Sequence, residues 1–383
     1  MTPRWHPFDI VLRVLAERLD GCRPSHNLRA VLGSQGIDWA GVVGQASGQY
    51  ILAALAAALR DLDLAGALDP DLRDFLAAVH AANVERNHKL QDQLVELVAP
   101  LNRIGVEPVL LKGAIRLVDG LYPEIGWRMM RDLDVLVHEG SLAEAVEVLR
   151  GIGYDSEQRA IDPLEKDWRA RHPDRPALVE VHRELFGAAR QRRLLPAADV
   201  INGARPATFN GVGIRLPSLE HQIVHLIGHG QLYDGGYAYG RIELRDRLEA
   251  GLLVRSSPRG VDWDRLFARF AAAGYYRPLA SFLLALNDDA LCAAPIRGRI
   301  DGLVRFQRRR VALQARSVAM TLAGWYFLRV KKQASKGAKG WPRVVQTCRE
   351  LFKDHGARRA LIQKIIRGPQ LQSLMLFLIG TYA

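Results

Sequence analysis

The sequence predicts an α/β or α+β core of a few strands set between N-terminal and C-terminal helical regions. Three observations carry this. Apolar residues recur at helical spacing through the first hundred positions. A short apolar run, Pro108-Val-Leu-Leu-Lys112, then meets Gly113 and opens a stretch of alternating strand and helix signals that lasts to about residue 217. Helical spacing returns from Ser218 onward. The expected organisation is a helical region over 1–104, a sheet core over 105–217, a helical region packing on that core over 218–296, and a basic helical part over 297–383.

Phe8, Val11, Leu12, Leu15 and Leu19 mark a first helix that Gly21 can stop. Tyr50 to Leu59 is rich in Ala and Leu. After Asp69, a capping residue, and Pro70, which suits a first turn, a long helix runs through Phe75, Val79, Val84, Leu90, Leu94 and Val98 towards Pro100. That makes a preamble of three or four helices. In the core, a strand ends at Lys112, a short helix spans Ala114 to Gly120, and Asp132 to Val137 alternates as a strand. Ser141 is expected to cap a helix through Leu149, with Glu144 in the capping-box position. Leu178 to Leu185 reads as another strand, and Asn210-Gly211 breaks Ala207 to Leu216 into a hairpin. Beyond it, Ser218 caps a helix, Arg241 to Val254 and Asp262 to Leu286 are amphipathic, and helical stretches recur near Leu303–Tyr326 and Val344–Ile366.

With 383 residues, 49% apolar and 25% charged, the chain has an ordinary globular balance that excludes collagen-like and coiled-coil classes. No run of about 18 uncharged apolar residues is present, so a spanning helix is not expected. The N-terminus lacks the pattern of a secretion signal. Cys22, Cys292 and Cys348 are far apart with no CxxC pair, which disfavours a disulfide framework and a structural zinc site and points to a reducing cytoplasm. Charge is unevenly spread. Residues 297–367 carry 19 Lys or Arg against three acids, while the rest of the chain sums to −4. Such a segment would attract a polyanion or an anionic membrane surface, and RNA is the favoured candidate. The alternative is a solvated Arg-rich helical face.

Three pieces of the core suit one chemistry. Lys112-Gly113-Ala114 lies between a strand and a helix, where backbone N–H groups can cradle phosphates. Asp132 and Asp134, two apart on a strand, point to one face while Leu133, Val135 and Val137 face the core. Like charges this close call for a cation between them, and Mg²⁺ (or Mn²⁺) is the natural one. Glu180, in Leu178-Val-Glu-Val-His182, would complete a carboxylate triad if the two strands are neighbours. The triad suits in-line displacement at an α-phosphate, with Arg128 and Arg131 neutralising the departing diphosphate.

The stretch VEPVLLKGAIRLVDGLYPEIGWRMMRDLDVLV resembles an uncharacterised bacterial nucleotidyltransferase family. Its marks are a Leu-Lys-Gly turn (Leu111-Lys112-Gly113), an Arg-x-Met-x-Asp-hydrophobic-Asp strand (here Arg128-Met-Met-Arg-Asp132-Leu-Asp134) and a later Glu-hydrophobic-His (Glu180-Val-His182). The likeness runs from about Asn83 to Val254. It implies an α+β, polymerase-β-like nucleotidyltransferase fold, a small mixed sheet with helices behind it. It also implies an NTP substrate, with Asp132, Asp134 and Glu180 catalytic and metal-binding, and Lys112, Gly113, Ala114, Arg128 and Arg131 on the nucleotide. His182, and His225, His229 and Asp246 in the helical follow-on, would support these from behind. The broader superfamily has Ser where Ala114 stands.

His221, His225 and His229 recur every fourth residue and would line one helix face. The loop Tyr233–Gly240 mixes aromatics with Gly beside them. Lys336-Gly-Ala-Lys-Gly340 lacks P-loop spacing, and Leu371–Ala383 reads as a short docking helix. Together these predict a Mg²⁺-dependent nucleotidyltransferase acting on RNA, a protein, a peptide or a small hydroxylated molecule. The rival is a catalytically impaired module that binds RNA or a partner protein through its basic end.

Overall fold

The computed structural model describes residues 5–316 apart from 22–23, 35, 157–165, 258–259, 289–290 and 292–299. The expectations for the basic segment beyond Arg316, including the Lys331–Gly340 loop and the helices at 344–366 and 371–383, lie outside the described residues, as does the boundary at 296.

Among the described residues the N-terminal region holds five α-helices: α1 (Pro7–Leu19), α2 (His26–Leu32), α3 (Trp39–Gly48), α4 (Leu52–Asp61) and α5 (Pro70–Arg103). The count exceeds expectation because α2 and α3 are short and capped by Ser25 and Asp38 rather than announced by long apolar stripes. Asp69 caps α5 with Pro70 in its first turn. At 34 residues α5 is about 50 Å long. It runs past Pro100 to Arg103, against expectation. Leu97, Val98, Pro100 and Leu101 are all buried beneath the sheet, and that packing offsets the hydrogen bond proline cannot make.

The core follows as β1 (Val109–Leu111), α6 (Lys112–Arg116), β2 (Asp132–Leu136), α7 (Leu142–Gly151), β3 (Asp167–Ala170), β4 (Leu178–His182), α8 (Ala189–Arg192), α9 (Ala197–Gly203), β5 (Arg205–Phe209) and β6 (Val212–Leu216). The six strands form one mixed sheet in the order β3-β4-β2-β1-β6-β5. β2 runs parallel to β4 and antiparallel to β1. The fold is α+β. Strand β3, absent from the sequence reading, adds an edge beside β4. The hairpin is as expected: Asn210 and Gly211 take φ of 44° and 84°, and Phe209 pairs with Val212. Ser141 does not cap α7. A 3₁₀ turn over Glu139–Ser141 precedes the helix, so the hydroxyl makes no capping bond.

Helices α10 (Leu219–Gly228), α11 (Gly236–Tyr239), α12 (Leu244–Arg255), α13 (Trp263–Ala272), α14 (Tyr276–Asp288) and α15 (Gly302–Arg316) complete the described chain. Ser218 accepts from the His221 amide at the start of α10, as its sequence position suggests. No described helix is long and apolar enough to cross a membrane.

Leu133, Val135, Val179 and Val181 pack with Leu90, Leu94 and Leu97 of α5 and with α7. Leu111 and Leu136 pack with residues of α10, α12, α13 and α14. The N-terminal helices share a third cluster with Trp127, Met129 and three leucines of α12. One face of the central strands is therefore dry under α5 and α7, and the other carries the polar residues.

Candidate active site

The dry face dictates the polar one. With Leu133 and Val135 fully buried, period-2 alternation turns Asp132 and Asp134 to the other side of β2. The parallel register then sets Glu180 directly beside Asp134. His182, two residues on, shares that face. Nε2 of His182 lies 2.8 Å from Asp134 Oδ1 and 3.4 Å from Glu180 Oε2. One side-chain oxygen or nitrogen from each of Asp134, Glu180 and His182 lies within 4.8 Å of the others, and all three residues are buried. Asp132 stands outside this tight group and lines the adjoining cavity. His182, expected as a supporting residue, is thus part of the cluster.

Lys112 comes from the β1–α6 turn, where its φ of +48° is unusual for a side chain other than Gly or Asn. Its ammonium reaches 2.6 Å from Asp134 Oδ1 and 3.7 Å from Glu180 Oε2. Burial works against that charge, but Asp134, Glu180 and Asp132 hold its pKa above the ordinary lysine value. Burial likewise opposes the Asp134 anion, yet Lys112 and His182 keep its carboxyl well below the usual range. Asp132 moves the other way, pushed up by burial and by the Asp134 charge.

Strand β3 supplies residues with no motif in the sequence reading. Arg169 Nε lies 3.2 Å from Glu180 Oε1. Lys166 and Asp167 form a close pair beside His182, whose Nδ1 is 3.4 Å from Lys166 Nζ and 3.5 Å from Asp167 Oδ2. The signal was the alternation in Asp167-Trp-Arg-Ala170, too short to stand out.

The donor chemistry fits a divalent cation. Asp134 is fully buried, Oδ1 takes both Lys112 and His182, and Oδ2 has no hydrogen-bond partner among the described residues. A buried acceptor left this way is costly, and carboxylates with an imidazole suit a hard or borderline divalent ion.

The cavity beside the cluster has a volume of about 270 Å³. Lys112, Gly113, Arg128, Arg131 and Asp132 line it from the core, and His225, His229 and Asp246 from the helical region. Ala114 does not; its side chain is fully buried in the apolar cluster under α5. Gly113 allows close approach of Met130, whose Sδ and Cβ would lie 3.2 and 3.3 Å from an added Cβ. Arg128 is placed by α5, because Asn83 and Asn87 donate to its carbonyl and to those of Gly126 and Ile125. Its Nε then donates to Glu249 Oε2 at 2.8 Å. Glu249 also receives Arg116 at 3.0 Å and the Tyr122 hydroxyl at 3.1 Å. Arg128 is therefore engaged within the protein. Arg131 is exposed, and among the described residues no carboxylate pairs with it.

His225 is buried edge-on to Phe186 at 5.8 Å and to His229 at 6.0 Å. Burial, helped by the neighbouring His229, pushes its pKa well below the histidine norm. His229 Nδ1 lies 3.1 Å from Asp234 Oδ2 in a π-helical turn, His229–Tyr233, that continues α10. Tyr50 and Arg245 also line the cavity, and no sequence motif announces either.

A family model described as "Uncharacterised nucleotidyltransferase" matches residues 35–288, about two-thirds of the chain, and so includes every residue of the cluster and the cavity wall. No curated protein and no solved structure matches the chain.

Proposed function

The chain belongs to this family of uncharacterised nucleotidyltransferases, and from that premise we propose that it is a divalent-metal-dependent enzyme moving a nucleoside monophosphate from an NTP to an acceptor hydroxyl. The observation that carries the reading is the unpartnered Oδ2 of fully buried Asp134, beside a cavity lined by cationic side chains. Asp134 and Glu180 would hold the ion, Mg²⁺ or Mn²⁺, with His182 within reach of both. When bound, such an ion polarises the α-phosphate and neutralises developing charge. Asp132 would take the acceptor's proton: it lines the cavity, its pKa is raised, and both oxygens of Glu180 already face cations. The acceptor oxygen bonds to the α-phosphorus as the bond to the β-phosphate bridge breaks, and diphosphate leaves past Lys112 and Arg131. RNA remains the favoured acceptor on the charge of residues 297–367 alone.

The test is transfer of α-³²P from each NTP, with Mg²⁺ or Mn²⁺, to total RNA, to the protein itself and to a cell lysate. Label is expected in one acceptor pool and is lost, on the order of 10³-fold, in Asp134→Asn. Folded protein that neither transfers label nor binds Mg·NTP by calorimetry would overturn the reading. Binding without transfer would favour the rival, a module that has lost turnover.

A further inference from the structure

Tyr50 occupies a position that the backbone reserves for glycine. Helix α3 ends in a Schellman motif: the Ile51 amide donates to the Ala46 carbonyl at 3.0 Å and the Tyr50 amide to Ser47 at 3.1 Å. Tyr50 is the C′ residue, with φ of +56°. Glycine adopts that conformation freely, and a β-carbon strains it. Of the four non-glycine residues with positive φ among the described residues, Asp63 and Asn210 are types that tolerate it, whereas Tyr50 and Lys112 are not, and both line the same cavity.

The ring shows what the strained position supports. The Arg131 guanidinium lies 5.3 Å from its centroid and that of Arg245 5.7 Å. The corner is itself fixed, because Gln49 Oε1 accepts the Leu244 amide at 2.6 Å, where α12 begins. Tyr50 thus gathers one guanidinium from the loop before β2 and one from α12 at the cavity wall. Arg245 is held by Asp246 at 3.3 Å, while Arg131 is exposed and turned to no described carboxylate.

We infer that Tyr50 is a positioning residue that holds Arg131 and Arg245 as a polyphosphate subsite, the place where the β- and γ-phosphates of the nucleotide are gripped. This rests on the nucleotidyl-transfer reading and deepens it. A guanidinium fixed by stacking loses less freedom on meeting a phosphate than a mobile one, and its planar donors suit phosphate oxygens. Glycine suits this φ better than tyrosine, so replacing Tyr50 by glycine separates the two roles by ligand binding: a purely structural tyrosine leaves it unchanged and a positioning one weakens it.

The experiment measures inorganic tripolyphosphate, ATP and adenosine by calorimetry on the full chain, alongside thermal melts. Tyr50→Gly is expected to melt at or above the wild-type temperature yet bind tripolyphosphate and ATP about tenfold more weakly. Tyr50→Phe, which keeps the ring, restores both, and Arg131→Ala, at an exposed position that does not threaten folding, loses as much as Tyr50→Gly. Tripolyphosphate affinity within twofold of wild type in both Tyr50→Gly and Arg131→Ala would overturn the inference. A loss for ATP and adenosine but not tripolyphosphate would also overturn it, since the ring would then meet the nucleoside. Wild-type protein that binds neither tripolyphosphate nor any NTP would bring down the nucleotide reading and this subsite with it.

Discussion

The molecule buries two charge clusters a few residues apart, and they differ in what each leaves unmatched. Around Glu249 everything closes: Oε1 takes Arg116, Oε2 takes Arg128 and Tyr122, and Arg116 also reaches Asp119 and Gln222. Around Asp134, one oxygen takes two donors and the other none among the described residues. Both clusters had to be desolvated, and a buried charge is tolerated only with compensation. The saturated cluster is a brace that ties α12 to the α6 turn and to the loop carrying Arg128. The unsaturated one is the proposed cation site. Burial and charge alone do not separate the two; the partners of the central carboxylates do, since both oxygens of Glu249 accept and only Oδ1 of Asp134 does among the described residues.

The sharpest way to break this comparison is to open the brace. Glu249→Gln leaves the Arg128 guanidinium buried without an anion and Arg116 with Asp119 alone, and a loss of about 3–5 kcal/mol is expected in urea unfolding. The pH dependence gives a second check. Burial opposes the Glu249 anion, but Arg128 and Arg116 hold its pKa at about 2, below its ordinary 4.5. A lowered folded-state pKa means stability that is present above about 4.5 and is lost as pH falls toward about 2. The gap in stability between wild type and Glu249→Gln should therefore narrow across that window. A gap that stays constant would show that the network contributes through packing rather than charge.

How much of this could be read in advance follows from how local each feature is. The Asp132–Asp134 face, the Asn210-Gly211 turn and the Ser218 cap each depend on residues within three or four positions, so spacing alone exposes them. Glu180 could be nominated from its alternating strand, but the register that sets it beside Asp134 belongs to the sheet. Tyr50, Arg245 and Glu249 reach the site only through packing of α3, α4 and α12 against the core, and nothing in their neighbours hints at it. The ion pair that holds Arg128 is hidden for the same reason: its partner lies 121 residues away. Ser141 failed as a cap because a 3₁₀ turn took the place of the helix start.

A smaller effect tests the other cluster. If the Asp134 site takes a cation, Mn²⁺ at about a hundred times its dissociation constant should stabilise the wild-type protein by about 2.7 kcal/mol. The shift should vanish in Asp134→Asn and survive in Glu249→Gln at a temperature where that variant is folded. Equal stabilisation of all three would place the ion elsewhere and remove the contrast between a closed and an open cluster.

The smallest effect concerns Ala114, where the sequence resemblance leads one to expect serine. Here the side chain is fully buried among Leu110, Leu133 and the leucines of α5, facing away from the cavity that Lys112 and Gly113 line. A hydroxyl added there enters an apolar layer and is expected to cost about 1–2 kcal/mol, seen as a melting temperature lower by a few degrees. Transfer activity should stay within about twofold, because the new group does not reach the phosphates. A tenfold gain in Ala114→Ser would mean that the α6 turn swings its first residues toward the nucleotide on binding. The strained φ at Lys112 would then be the hinge of that movement, and the unsaturated cluster would be only half of the site.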